Sequence, residues 1–200
     1  MAFSHESSRR RARRKAASRS GKSALQPIRR LVVSRVAGQK SLGRLFAGTV
    51  TILCALGGAG IGLKRREGDG VTPTGRFHLD GGFFRQDRLF RPRSLLQMRP
   101  ITRSSGWCDD PSSPNYNRKV NLPIQNGHEK LWRPDNLYDL FFVIDYNFRP
   151  KRKGRGSAIF LHIAKDSFQP TEGCVAISAA DMKRLAARLA ARVCLIIKPG

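Results

Sequence analysis

The alternation of apolar and polar positions predicts a chain built mainly of strands. Leu45 to Leu63 is a run of nineteen uncharged residues whose strongly apolar part, Leu45 to Leu56, reads as one or two core strands ending in a turn. A run of that length also raises a membrane anchor, but five glycines break it, four of them in GGAGIG, and the strand reading is preferred. From Lys64 the pattern changes to REGDGVTPTG, a loop punctuated by Gly and Pro, after which RFHL resumes as a short strand. The middle segments RPRSLLQMRP, SSGWCDDPSSPNYNRKVNLP and HEKLWRPDNLYD hold too many Pro, Asn and Asp for long helices, and predict loops that wall a groove. Leu140 to Tyr146 and Ala158 to Ile163 are β-rich runs and predict adjacent central strands joined by the polar RPKRKGRGS turn region. Ser178 to Arg192 predicts a helix: Ser178 with Asp181 makes a capping-box-like start, and Met182, Leu185, Ala186 and Leu189 form one apolar face. Val193 to Ile197 then predicts a last strand. The expected fold class is mainly β, a β-sandwich with one substantial C-terminal helix packed on the sheet.

Composition adds a size and a field. The 200 residues, 40% of them hydrophobic, suffice for one packed domain and a tail. The formal net charge of +24 predicts attraction to polyanions, and its distribution is uneven. Residues 1–44 carry thirteen Lys/Arg against Glu6 alone, whereas the remaining 156 carry twenty-five against thirteen acids. The expected organisation is a basic, disordered arm over residues 1–43 and a catalytic domain over 44–200. The arm has no uninterrupted apolar stretch for a standard export signal, because Pro27, Arg29, Arg30 and Arg35 break the segment that follows its charges. No aromatics interleave with its arginines, so contact with anionic envelope polymers or a membrane surface is expected rather than specific nucleic-acid binding.

The candidate chemistry lies in SAIFLHIAKDSFQPTEGCVAIS, where His162 ends a strand and Cys174, twelve positions on, follows Gly173 in a short loop. An imidazole beside a thiol can take its proton, and the thiolate attacks an acyl carbon to give a thioester. Gly173 lets the backbone approach a ligand closely and turn its amide, with that of Cys174, toward an oxyanion, while Thr171 offers a further donor. A small core cysteine and a strand histidine would account for the same two residues, and chemistry alone leaves both readings open. Trp107, Asp109, Asp110, Asn115, Tyr116, Asn117, His128 and Trp132 would give a groove aromatic walls and polar handles for a peptide, although loop packing explains them equally well. His128 is a secondary candidate for an ionisable group in the cleft. No HExxH or close-set ligand pair is present, so neither a metal nor another cofactor is expected. Cys54 and Cys108 are open to a disulfide or to two buried thiols, and Cys194, inside VCLII, reads as core.

REGDGVTPTG, followed far downstream by His162 and Thr171-Glu172-Gly173-Cys174, resembles the YkuD-type L,D-transpeptidase catalytic domain, from about Arg44 to the C-terminus. The resemblance implies a YkuD-like sandwich with Cys174 as nucleophile, His162 as base, the Gly173 and Cys174 amides at the oxyanion, and the Ile163 carbonyl orienting the imidazole. Substrate contacts are expected at Thr171, Glu172 and Ile163 around this pair and, from the middle loops, at Trp107, His128 and Trp132. Two departures stand out: Glu172 occupies the usual His position, and Val175-Ala176 bring no Arg or Asn after the cysteine. GWCDDP, HEKLW and EGCVA together resemble a compact bacterial branch of the family. The implied reaction is attack on the diaminopimelate carbonyl of a tetrapeptide stem, loss of D-Ala, and resolution by an acceptor amine into a 3-3 cross-link. With water as acceptor the enzyme is an L,D-carboxypeptidase or endopeptidase, and the rival class is a noncatalytic wall- or polyanion-binding protein. The implied location is the cell envelope or periplasm.

Overall fold

Residues 26–199 are described by a computed structural model. Its elements are β1 (Ile28–Arg35), β2 (Leu42–Ala47), β3 (Val50–Ala55), β4 (Gly60–Gly62), β5 (Val71–Pro73), β6 (Gly75–Arg85), β7 (Met98–Ile101), β8 (Ser105–Cys108), β9 (Arg118–Asn121), β10 (His128–Lys130), β11 (Leu140–Ile144), β12 (Phe160–Ile163), β13 (Val175–Ile177), α1 (Ala179–Ala186) and β14 (Leu189–Ile197). The main sheet runs β11-β12-β13-β3-β2-β1-β14-β6-β7, and a further pairing of β11 with β6 closes it on itself. Closure depends on β6 changing partners along its length. Gly75 to His78 pair with β14, and Leu79 to Phe84 pair with β11, where the register shifts between Phe142 and Ile144. A small sheet, β10-β8-β9, lies apart.

Strands β11 and β12 are buried on both faces, which is why they read as continuous apolar runs. Leu140, Phe142, Ile144, Leu161 and Ile163 enter the larger core together with Met182 and Leu185 of α1. Phe141, Val143 and Phe160 enter a second, aromatic-rich core with Trp107, Leu131, Tyr138 and Cys174.

The hairpin β2-β3 realises the run Leu45 to Leu56 as two core strands joined at Gly48-Thr49. No helix among the described residues is long and apolar enough to cross a membrane. Three boundaries are corrected. The expected arm, 1–43, ends earlier: Ile28–Arg35 is a central strand, parallel to β14 and antiparallel to β2, because Leu31 and Val33 alternate into the core between exposed arginines. Residues 1–25, which carry the densest basic run, lie outside the described residues. RFHL opens not a short strand but the eleven-residue β6. The helix stops at Ala186 rather than Arg192. Leu189 to Ile197 pair with both β1 and β6, and ladder bonds on two edges outweigh the helix preference of the alanines. Its start is as expected, with Ser178 Oγ accepting from the Asp181 N–H at 3.1 Å.

Candidate active site

Register builds the site. β12 and β13 run parallel, with Leu161 opposite Val175 and His162 opposite Ala176. Side chains alternate along each strand, so Phe160, His162, Ala176 and Cys174, the residue leading into β13, belong to one face. Leu161, Ile163, Val175 and Ile177 point the other way, into the larger core. The histidine and the cysteine are therefore diagonal neighbours, and both line a cavity of about 360 Å³.

Burial favours the neutral form of each group, against the pull of its local hydrogen bonds. Cys174 Sγ donates to the Ala158 carbonyl at 3.2 Å and accepts from the Phe160 N–H at 3.3 Å. Burial pushes the thiol up to about 12, against the pull of the Phe160 N–H. His162 Nδ1 lies 2.8 Å from the Ile163 carbonyl oxygen. A carbonyl can only accept, so Nδ1 carries the proton and Nε2 is the basic nitrogen. Burial holds the imidazole down at about 4, with the Ile163 carbonyl pulling upward. The Tyr138 ring meets it edge-on at 5.5 Å between centroids and limits its rotation. Both shifts favour the uncharged pair, thiol and imidazole, at neutral pH.

The Cys174 loop is clamped by two hydroxyls. Thr171 Oγ1 donates to the Cys174 carbonyl at 2.7 Å and accepts from the Gly173 N–H at 3.2 Å. Thr72 Oγ1, fully buried, donates to the same carbonyl at 3.3 Å and accepts from the Gly57 N–H at 2.7 Å. The TPTG turn and the TEGC loop, a hundred residues apart in sequence, are therefore one hydrogen-bonded unit. Two expectations change here. Thr171 spends its hydroxyl inside the loop rather than on a ligand, and the Gly173 N–H is turned onto Thr171 instead of toward an oxyanion.

Charged groups of both signs ring the cavity. Lys64 Nζ donates to Asp69 Oδ1 at 2.6 Å. Burial alone would raise the Asp69 carboxyl, but Lys64 and the backbone N–H groups of Arg65, Val71 and Arg66 bring it down to about 2. Glu129 accepts from the Tyr138 hydroxyl at 3.2 Å, lies 3.5 Å from Arg133, and is raised by burial. Asp109, also raised by burial, reaches the rim with the exposed Glu172.

Other expected contacts lie elsewhere. Trp107 is buried and donates to Asn117 Oδ1 at 3.0 Å; it braces Phe160 edge-on at 5.1 Å but lines a different recess. His128 and Trp132 line a third depression, beside Arg103 and Leu122, because β10 pairs with the far side of β8. Trp132 is covered by the Arg85 guanidinium, 3.7 Å from its centroid. Tyr116 donates to Glu67 and accepts from the Gly156 N–H, Asp110 ties up Ser112 and Asn126, and Asn115 N–H caps onto Ser113. Cys54 and Cys108 are separate buried thiols, and Cys194 is half-buried near Arg76 rather than in the core. Sequence reasoning missed Lys64, Thr72, Glu129 and Tyr138. Lys64 and Thr72 flank or lie within the REGDGVTPTG segment and were open to notice; nothing local marks the other two.

No curated protein and no solved structure matches the chain significantly. A family model, L,D-transpeptidase catalytic domain, matches residues 29–197, from the first strand of the closed sheet to the end of the last. By that match, which spans both the TPTG turn and the Cys174 loop it clamps, the chain belongs to the YkuD family of L,D-transpeptidase catalytic domains, whose catalysis is directed at peptidoglycan stem peptides.

Proposed function

We propose that this protein forms 3-3 cross-links in peptidoglycan through a Cys174 thioester. The observation that carries the reading is the neutral, same-face pair of Cys174 and His162, with the imidazole tautomer set by the Ile163 carbonyl. His162 Nε2 takes the thiol proton as Sγ bonds to the carbonyl carbon of the third residue of a tetrapeptide stem. The tetrahedral intermediate collapses, the C–N bond to D-Ala breaks, and the imidazolium returns the proton to the leaving amine. The side-chain amine of a second stem then attacks the thioester, and the thiol is regenerated.

Val175 and Ala176 are buried in β13, so no polar side chain directly follows the nucleophile to greet the acceptor. That supports water as an alternative acceptor, with tripeptide stems as product. Such substrates imply work in the cell envelope, where the basic N-terminal residues would hold the enzyme near anionic polymers.

Incubating the full chain with disaccharide tetrapeptides and reading products by mass should show free D-Ala with either cross-linked dimers or tripeptides. Cys174→Ala should release none while keeping the wild-type melting temperature. Undiminished D-Ala release by that variant would falsify the reading.

A further inference from the structure

Lys64 is the group whose placement the reaction above does not use. Its side chain is 2% exposed, the residue lines the Cys174 cavity, and its ammonium has Asp69 as its one hydrogen-bond partner among the described residues. An ammonium has three donors, so two remain for whatever enters the cavity.

Two glycines make room for it. At Gly156 (φ +104) a Cβ would lie 2.4 Å from Lys64 Cε, so the lysine stem runs through the space that a side chain there would fill. At Gly173 (φ +126), the residue before the nucleophile, a Cβ would lie 3.4 Å from Lys64 Nζ and 2.7 Å from the Val71 carbonyl. Both positions hold backbone that other L-residues adopt only with strain. Between them they bring a buried cation onto the Gly173–Cys174 peptide. Asp69 is in turn fixed by the N–H groups of Arg65, Arg66 and Val71, at 2.8, 3.2 and 3.1 Å, so the ion pair has little freedom to swing away.

The loop also needs such a group. Its Gly173 N–H is spent on Thr171, and the nearby carboxylates Glu129 and Glu172 oppose negative charge at Cys174. We propose that Lys64 is the electrostatic partner of the nucleophile, its ammonium stabilising the negative charge that forms on Cys174 as the thiol gives up its proton. A preorganised cation in a buried site does this without reorganising solvent. The inference rests on Cys174 being the nucleophile, and not on the identity of the acyl acceptor.

The test reads the thiolate directly. Iodoacetamide alkylates it, forming S–C as C–I breaks and iodide leaves, and mass spectrometry of the Cys174 peptide gives the rate separately from Cys54, Cys108 and Cys194. In the native full chain at about pH 8, Lys64→Met and Lys64→Gln should each slow labelling of Cys174 by ~10-fold or more, and Lys64→Arg should stay within ~3-fold of wild type. Gln keeps a donor for Asp69, so it guards against a folding defect in the Met variant. Asp69→Asn is the decisive control. It removes the counter-charge but leaves the ammonium, and should label as fast as wild type or faster.

Labelling that ignores both neutral variants overturns the proposal, as does Asp69→Asn slowing in step with Lys64→Met, which would reduce the pair to a structural clasp. A raised KM for the stem peptide with unchanged labelling would make Lys64 a substrate anchor instead, and overturns it too. D-Ala release followed in parallel separates the two readings. Lys64-dependent labelling without any D-Ala release removes the transpeptidase reading alone, and D-Ala release with Lys64-independent labelling removes this one alone.

Discussion

Two recesses, one lined by Cys174 and His162 and the other by Trp107, use charge in opposite ways. In the Cys174 cavity the partly buried charges include fixed pairs, Lys64 with Asp69 and Arg133 with Asp135 and Glu129, while Lys165 and Glu172 stand exposed on the rim. The other recess, about 300 Å³, presents exposed Arg99, Arg118, Lys119 and Arg149 around the single acid Asp80, with no ion pair to any of these five among the described residues. Pairing is what aims a charge, because a fixed partner removes the freedom of a long side chain, whereas solvated cations contribute a screened, long-range field. The formal charge of +24 is therefore a poor guide to where chemistry occurs.

The largest effect that sharpens the contrast is loss of the imidazole. His162→Gln should lower D-Ala release by ~10²–10⁴-fold, the usual worth of a positioned general base. The same variant reads out burial. Because the folded imidazole is held at about 4, below its unfolded value of ~6.5, the unfolded state binds more protons between those limits. The stabilisation is thus complete above ~6.5 and is lost as pH falls toward 4, by up to about 3 kcal/mol. Asp69, lowered to about 2, extends the acid-side loss further down. Melting temperatures between pH 7 and pH 4 should fall for wild type and flatten for His162→Gln. Parallel curves would mean that the histidine is not buried neutral.

A smaller effect is expected at the loop clamp. Thr171→Val keeps the shape but removes the hydroxyl shared by the Gly173 N–H and the Cys174 carbonyl, and should cost about 1–2 kcal/mol in thermal or denaturant unfolding. D-Ala release should drop severalfold, since Thr72 alone then steadies the carbonyl. The smallest effect belongs to the open recess. Joint replacement of Arg118, Lys119 and Arg149 by Ala should leave D-Ala release within ~2-fold while weakening salt-sensitive retention on an anionic polymer. A large loss of turnover there would erase the distinction between the two recesses.

Much of this was legible before folding. The hairpin β2-β3, the adjacency of β11 and β12 and the capped start of α1 follow from local period and capping, because each is decided by neighbours in sequence. Cys174 and His162 were legible as chemistry because two ordered motifs framed them. Trp107, His128 and Trp132 were misplaced because an aromatic loop residue carries no mark of which cavity it faces. In β1 the arginines dominate the composition and mask the strand, although Leu31 and Val33 between them already have its period.

By itself the sequence determined the strand-rich class and singled out Cys174 and His162 as the candidate pair, since periodicity is written in residue type and spacing and the pair sits between two ordered motifs. The tertiary structure alone decided that burial favours the neutral forms of Cys174 and His162, that Thr72 and Thr171 share one carbonyl, and that Lys64 reaches the Cys174 loop past Gly156 and Gly173. Those are matters of burial and of approach between segments far apart in the chain, and a closed sheet settles them by bringing the TPTG turn and the Cys174 loop into contact.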